Sequence, residues 1–257
     1  MIIALLTDFG VADYFVAAMK GAILSINRRA VIVDITHEIP PQNIKSAGFT
    51  LRACRKDFPL KTIFVCVVDP GVGSDRRAIL VETDECFFVA PDNGLLSFVF
   101  NEAKFFRVFE LTSKKFFNPH ISQTFHGRDV YAPVAAYLSK GVEAVEFGDE
   151  ITDFIRLNIE QPRKISQNTI EAKIIHADNF GNLITNLTKN DLPARFFLEF
   201  NGIVIDNFLD YFAQAEEGEI CVILGSAGFL EIVAYKSSAK NILNAKPGDR
   251  VLLNKVK

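Results

Sequence analysis

The sequence predicts an amino-terminal α/β domain built on a mostly parallel sheet, followed by a smaller carboxy-terminal all-β domain. Strand and helix patterns alternate through the first part of the chain, as in a sheet with helices on its faces. Around Gln161-Pro162-Arg163-Lys164 that rhythm gives way to short alternating strands. The polar, glycine-bearing segments fall at the ends of apolar runs, where parallel sheets place their chemistry. The predicted domains are residues 1–162 and 163–257.

Taken in order, Ile2–Leu6 reads as the first strand, Tyr14–Ile26 as a helix, Val31–Ile35 as a strand and Asn43–Arg55 as a helix. Ile63–Val68 is apolar throughout, the pattern of a strand buried on both faces. Ala78–Glu82 and Phe87–Ala90 flank Thr83-Asp84-Glu85, a hairpin turn added to that sheet. Gly94–Phe100 is expected to be a short helix. Pro133 early and Gly141 late bracket another helix, Ala132–Lys140. In the second domain the strands are Thr169–Ile175, Leu183–Asn186, Phe197–Phe200, Ile203–Ile205, Cys221–Leu224, Leu230–Ala234 and Arg250–Leu253.

Composition narrows the function classes. Twenty-eight Lys and Arg against 31 Asp and Glu leave a net charge of −3, without the basic stripe that a nucleic-acid partner demands. No apolar run is long enough for a membrane-spanning helix, and Met1–Leu6 lacks a basic leader and reads as a strand and not a signal peptide. Cys54, Cys66, Cys86 and Cys221 have no paired spacing; free thiols in a reducing cytoplasm are expected.

The richest segment is Val68-Asp69-Pro70-Gly71-Val72-Gly73-Ser74-Asp75-Arg76-Arg77. A carboxylate emerges at a strand end, glycines let backbone approach a ligand, and Arg76 can reach back to Asp69. The same residues also make an ordinary Pro-Gly turn with a solvated arginine pair. Thr7-Asp8 with Asp13, Asp92-Asn93, and Thr124-Phe125-His126-Gly127-Arg128-Asp129 occupy comparable strand ends, so they can share one crevice. His126, between Phe125 and Gly127 ahead of a helix start, is either a structural histidine or a catalytic one. In the second domain, Asp178-Asn179-Phe180-Gly181-Asn182 and Gly225-Ser226-Ala227-Gly228-Phe229 are turn sequences whose side chains can also read a polar ligand. An Asn amide suits an adenine edge, and Phe180 or Phe212 can cover its face.

Together these segments resemble the S-adenosylmethionine hydrolase family, also called S-adenosylmethionine hydroxide adenosyltransferases, relatives of the fluorinase and chlorinase enzymes. The resemblance spans nearly the whole chain. It rests on Leu6-Thr7-Asp8-Phe9-Gly10, Met19-Lys20-Gly21, Asp69-Pro70-Gly71-Val72-Gly73 with Arg76, Pro91-Asp92-Asn93-Gly94-Leu95-Leu96, Phe125-His126-Gly127-Arg128-Asp129, Asp178 with Phe180-Gly181-Asn182, and Gly225-Ser226 with Gly228. It implies a homotrimer whose ligand sits between the first domain of one subunit and the second domain of its neighbour. By this resemblance, Asp69, Arg76 and His126 surround the attacking water, and Asp8 holds the ribose hydroxyls. Asp13, Asp178 and Ser226 hold the methionine ammonium and carboxylate, Asn182 reads the adenine edge and Phe212 stacks on it. Gln42 stands where the fluorinase carries an aromatic, and its role is open.

The implied reaction is attack of water or hydroxide on the ribose C5′, giving adenosine and L-methionine, with Arg76 and His126 favouring hydroxide electrostatically and Asp69 orienting its proton. The nucleoside is the substrate, and no cofactor or metal is implied. Two rivals are a halide-using adenosyltransferase and a non-catalytic S-adenosylmethionine or adenosine sensor. A third is a two-metal phosphohydrolase using Asp8, Asp69, Asp92, Asn93, His126 and Asp129.

Overall fold

In the computed structural model, which describes residues 1–256, a six-stranded sheet runs in the order Val31–Thr36 (β2), Ile2–Thr7 (β1), Ile63–Val67 (β3), Phe87–Pro91 (β5), Ala78–Thr83 (β4) and Phe106–Glu110 (β6). The β1–β2, β1–β3 and β3–β5 pairs are parallel, while β4 is antiparallel to both its neighbours. This sheet belongs to the first of two compact units, Met1–Ile159, the second being Glu160–Lys257.

Side-chain alternation explains why both faces are covered. Ile3 and Leu5 of β1, with Ile63, Val65 and Val67 of β3, point into one core that also takes Met19 and Ile23 from the helix Phe15–Ile26 (α1). Ala4, Leu6, Phe64 and Cys66 point into the other, against Ala47 and Leu51 of the helix Ile44–Cys54 (α2). The Asn43 side chain accepts from the Ser46 amide at 3.0 Å and starts α2 at the expected place. The two remaining helices of this unit are Ser97–Glu102 (α3) and Ala132–Ser139 (α4).

The short helix expected at Gly94–Phe100 begins later, at Ser97. Gly94 takes φ +88°, and Asn93 Oδ1 accepts from the Leu95 amide at 3.2 Å, so the chain turns before it coils. Strand β6 and a single π-helical turn at Gly127–Tyr131 have no counterpart in the sequence reading.

The second unit is rich in β-structure. Among the described residues its nine strands are Arg163–Lys164 (β7), Thr169–Ala177 (β8), Leu183–Thr188 (β9), Phe196–Phe200 (β10), Ile203–Ile205 (β11), Phe208–Leu209 (β12), Ile220–Leu224 (β13), Phe229–Ala234 (β14) and Arg250–Lys255 (β15). They pair in the order β11-β10-β15-β8-β9-β14-β13-β12, with β7 on β8. The β12–β13 contact is parallel. A helical turn, Ala239–Ile242 (α5), interrupts the all-β pattern: Ser238 caps it by accepting from the Asn241 amide at 3.2 Å, and Ala239 is fully buried. All four cysteines are free. Among the described residues, no helix is long and apolar enough to cross a membrane.

Candidate active site

The sheet reverses its direction of growth at β1, with α1 leading to β2 on one side and α2 crossing back to β3 on the other. Such a switch point leaves a crevice at the carboxyl ends of the two central strands. Thr7 pairs with Val67 there, so Asp8 and Asp69, each just past its strand, emerge on the same edge.

Asp69 is the centre of a nearly dry cluster. Arg76 Nη2 donates to Asp69 Oδ2 at 2.6 Å, and Tyr131 Oη donates to the same oxygen at 3.4 Å. The other oxygen, Oδ1, is buried and accepts no hydrogen bond of good geometry. Burial raises the Asp69 carboxyl above its ordinary value, although Arg76, the Gly71 amide and His126 pull it back. His126 is shifted the other way: burial and then Arg76 lower its pKa, only partly offset by Asp69 and Asp129, so the imidazole is neutral at pH 7. The shift favours the uncharged imidazole, a form that can act as a base or hydrogen-bonding partner.

Packing pins these loops together. Phe125, next to His126, meets Phe9 at a ring-centroid distance of 5.9 Å and Phe15 at 5.2 Å. Gly73 has φ +79°, and a Cβ there would collide with the Gln123 carbonyl, so the Asp69–Arg76 loop lies directly on the segment leading to His126. Asp8 is held by Gln42, whose amide donates to its Oδ2 at 2.8 Å. Gln42 has φ 64°, a left-handed conformation that costs a non-glycine residue roughly 1–2 kcal/mol. Its contribution is thus made by its backbone.

Other polar residues from the same motifs serve the fold. Asp92 Oδ2 accepts from Arg77 Nη2 at 2.9 Å and its Oδ1 from the Ile155 amide at 2.8 Å, while Asn93 Nδ2 donates to the Val68 carbonyl at 2.9 Å. Asp129 takes Arg128, Asn118 and the Ser122 amide. With Asp92 and Asp129 so engaged, the two-metal reading loses two of its six ligands, and no group of three or more His, Cys, Asp or Glu among the described residues is arranged to hold a metal ion.

In the second unit, Asp178 and Asn182 lock each other. Asp178 Oδ1 accepts from the Phe180 amide at 2.9 Å and the Asn182 amide at 2.8 Å, and its Oδ2 from Asn182 Nδ2 at 2.8 Å. That leaves the Asn182 side-chain carbonyl and its second amide hydrogen as the groups it can offer. Asn182, Phe180, Phe212, Tyr235 and Ser238 line a hollow of about 520 Å³. Phe180 is 76% and Phe212 40% exposed, a costly display of aromatic surface unless something flat covers it. Asp13 and Ser226 are exposed and make no side-chain hydrogen bond among the described residues, so the structure does not join them to either cluster.

Three neighbouring residues, Tyr131, His37 and Glu231, escaped the sequence reading, which notes Gln42 with its role open. Tyr131 looked like a helix-start aromatic. Gln42 acts through a backbone conformation that no side-chain pattern encodes. His37 bonds buried Thr7 at 2.9 Å, beneath the Asp8 loop. Glu231 lies against Gly225, and burial, then Asp178, pushes its carboxyl up to about 7. An acidic residue inside the apolar Phe229–Ala234 run was the available signal.

Comparison with known proteins gives consistent results across the chain. Residues 3–148 match the SAM hydroxide adenosyltransferase N-terminal domain, and residues 172–252 match the corresponding C-terminal domain. The (R)-S-adenosyl-L-methionine hydrolase of Methanocaldococcus jannaschii is 35% identical over 267 residues, spanning 97% of this chain and 94% of that one. A fluorinase from an Actinoplanes species is 25% identical, over 99% of this chain and 97% of its own length. The crystal structure of an uncharacterized conserved protein from Thermotoga maritima aligns with a TM-score of 0.92 at 34% identity, covering 99% of this chain and 100% of that one.

Proposed function

As the chain belongs to the SAM hydroxide adenosyltransferase family, we propose that it hydrolyses S-adenosyl-L-methionine to adenosine and L-methionine by attack of water or hydroxide on the ribose C5′. The sulfonium configuration proposed is (R), the form for which the M. jannaschii relative is named. The observation that carries this reading is the divided carboxylate of Asp69. One oxygen is taken up by Arg76 and Tyr131; the other is buried with no hydrogen bond of good geometry, and it is the oxygen proposed to take the proton of a bound water, with the Gly71 amide beside the carboxylate and His126 within electrostatic reach.

In the proposed step, the water oxygen bonds to C5′ from the side opposite sulfur. The C5′–S bond breaks, its electron pair stays on sulfur, and the water proton passes to Asp69 or His126 and then to solvent. Methionine leaves as a neutral thioether and needs no acid. Orientation can contribute roughly 7–11 kcal/mol, against about 3–5 kcal/mol from a positioned base, so holding the water in line is the larger task. Arg76 keeps Asp69 ionised in dry surroundings, where an unpaired carboxylate would take up a proton. If hydroxide attacks, its charge and the sulfonium's cancel in the transition state, which a water-poor site favours.

Asp8, with one oxygen occupied by Gln42, offers the other to the ribose hydroxyls. The Asn182 carbonyl suits the adenine amino group, and Phe212 suits its face. Asp178, Asp13 and Ser226 are proposed for the methionine ammonium and carboxylate. A homotrimer is proposed, with each site drawing its two halves from neighbouring subunits, and the four free thiols favour the cytoplasm as its compartment. Halide transfer is the disfavoured alternative. A halide about 4 Å from the bare oxygen of Asp69 would be repelled by roughly 4 kcal/mol at an effective dielectric near 20.

The test is incubation with each sulfonium epimer in oxygen-18 water, with and without chloride and fluoride. Label in the 5′ hydroxyl of adenosine is expected. A halogenated nucleoside as the sole product, or tight binding without turnover, overturns the proposal.

A further inference from the structure

We propose that Tyr131 is a positioning residue: with Arg76, its hydroxyl holds Asp69 Oδ2 and so fixes Oδ1 as the oxygen that meets the nucleophile. This deepens the reading above and rests on it. Tyr131 is fully buried, its hydroxyl stands 3.4 Å from Asp69 Oδ2, and the Arg76 guanidinium carbon lies 5.9 Å from its ring centroid.

The backbone is built to allow this. Tyr131 closes the π-helical turn Gly127–Tyr131, where the Ala132 amide bonds the Gly127 carbonyl. On an α-helix, residues five apart point about 140° away from each other. An i→i+5 turn brings them back to one side, so His126 and Tyr131 can both address the Asp69–Arg76 pair. The extra residue of a π-turn costs helix regularity, and it recurs where a site needs two side chains aligned.

The phenol keeps its proton, so it can donate to Asp69 while its oxygen accepts from Arg76. Burial, foremost, and Asp69 raise its pKa far above the ordinary range, against the pull of Arg76, so the proton stays on oxygen. The charged and titratable groups that face Asp69 are Arg76, His126 and this hydroxyl, with the Gly71 amide beside them. Removing the hydroxyl takes away a donor to the ionised carboxylate, and the Asp69 pKa then rises further.

Two altered proteins test the idea. Tyr131→Phe keeps the buried ring, and replacing the ring by 3-fluorotyrosine keeps the hydroxyl but makes it a stronger donor. In Y131F, kcat is expected to fall about 5- to 10-fold with KM within about twofold, the worth of one hydrogen bond weakened by its 3.4 Å length. The acid limb of its pH–rate profile should move to higher pH, and that of the fluorinated protein to lower pH. Carbon-13 titration of the Asp69 carboxyl in the free protein should move in the same two directions, without any turnover. An unchanged Asp69 titration in Y131F, or shifts of one sign in both proteins, overturns the inference whatever the substrate. A titration that responds as expected in a protein that releases no adenosine supports the positioning role and sinks the hydrolase reading alone.

Discussion

Arg76 Nη2 stands 2.6 Å from Asp69 Oδ2, and the two side chains are only 9% and 4% exposed. Seven positions of a Pro-Gly loop separate them, so the loop closes on its own ends through a buried ion pair. Such pairs add little to stability, because desolvating both charges offsets most of their attraction. The pair instead keeps a carboxylate ionised where burial alone would favour the acid.

Breaking the pair from one side should expose that cost. Arg76→Met leaves a buried, uncompensated carboxylate, and a loss of about 3 kcal/mol is expected in denaturant unfolding at pH 8. Without Arg76 the folded pKa of Asp69 climbs further above its unfolded value. The added penalty is then full above the new folded pKa and vanishes below the unfolded one, so the deficit should shrink on acidification. A deficit independent of pH would contradict this.

The pH dependence of turnover follows from two opposite shifts. Asp69 must be ionised, and its transition lies above the ordinary 3.8. His126 must be neutral, and its transition lies below the ordinary 6.5. Activity should therefore be flat through pH 7 and fall on the acid side as both groups take up protons. His126→Gln should lower kcat about 10²–10⁴-fold. A rate that rises on acidification would require a protonated imidazole and refute the assignment.

Glu231 makes a stability prediction away from the chemistry. Its carboxyl is raised from 4.5 to about 7, mainly by burial and then by Asp178. The folded protein thus binds a proton that the unfolded chain releases, and stability falls as pH rises from about 4.5 to about 7. Glu231→Gln removes that dependence. Discounted for partial exposure, E231Q should be about 1–2 kcal/mol more stable than the parent at pH 8, with the gain gone near pH 4. Thermal melts at the two pH values check it.

The hollow of the second unit should govern affinity rather than rate. Phe212→Ala is expected to raise KM about tenfold, as loss of one base-stacking contact would, with kcat nearly unchanged. If sites are shared between subunits, mixing Asp69→Asn with Asn182→Ala chains should restore activity that neither has alone. Mixed trimers as inactive as their parents would count against shared sites.

Much was legible in the chain because local chemistry dictated it. The continuous apolar run Ile63–Val68 marked a strand buried on both faces, Asn43 marked a helix start, and Asp69, Pro70 and Gly71 marked a turn at the strand end. Charge pairing was legible only in part: Arg76 reaching back to Asp69 was expected, and the partners of Arg77 were not. Adjacent arginines have different partners, Arg76 taking Asp69 and Arg77 taking Asp92 and Asp153, and only the packed loop separates those choices.

The sequence by itself determined the alternating α/β pattern, the β-rich second part, the candidate polar residues and the family likeness, all of which follow from periodicity and short motifs. Only the tertiary structure decided that Asp92 and Asp129 belong to the scaffold, that Gln42 works through its backbone, and that Tyr131 meets Asp69 across 62 residues of chain. Protonation states and hydrogen-bond partners depend on which groups share a dry space, and that space exists only once distant segments have packed.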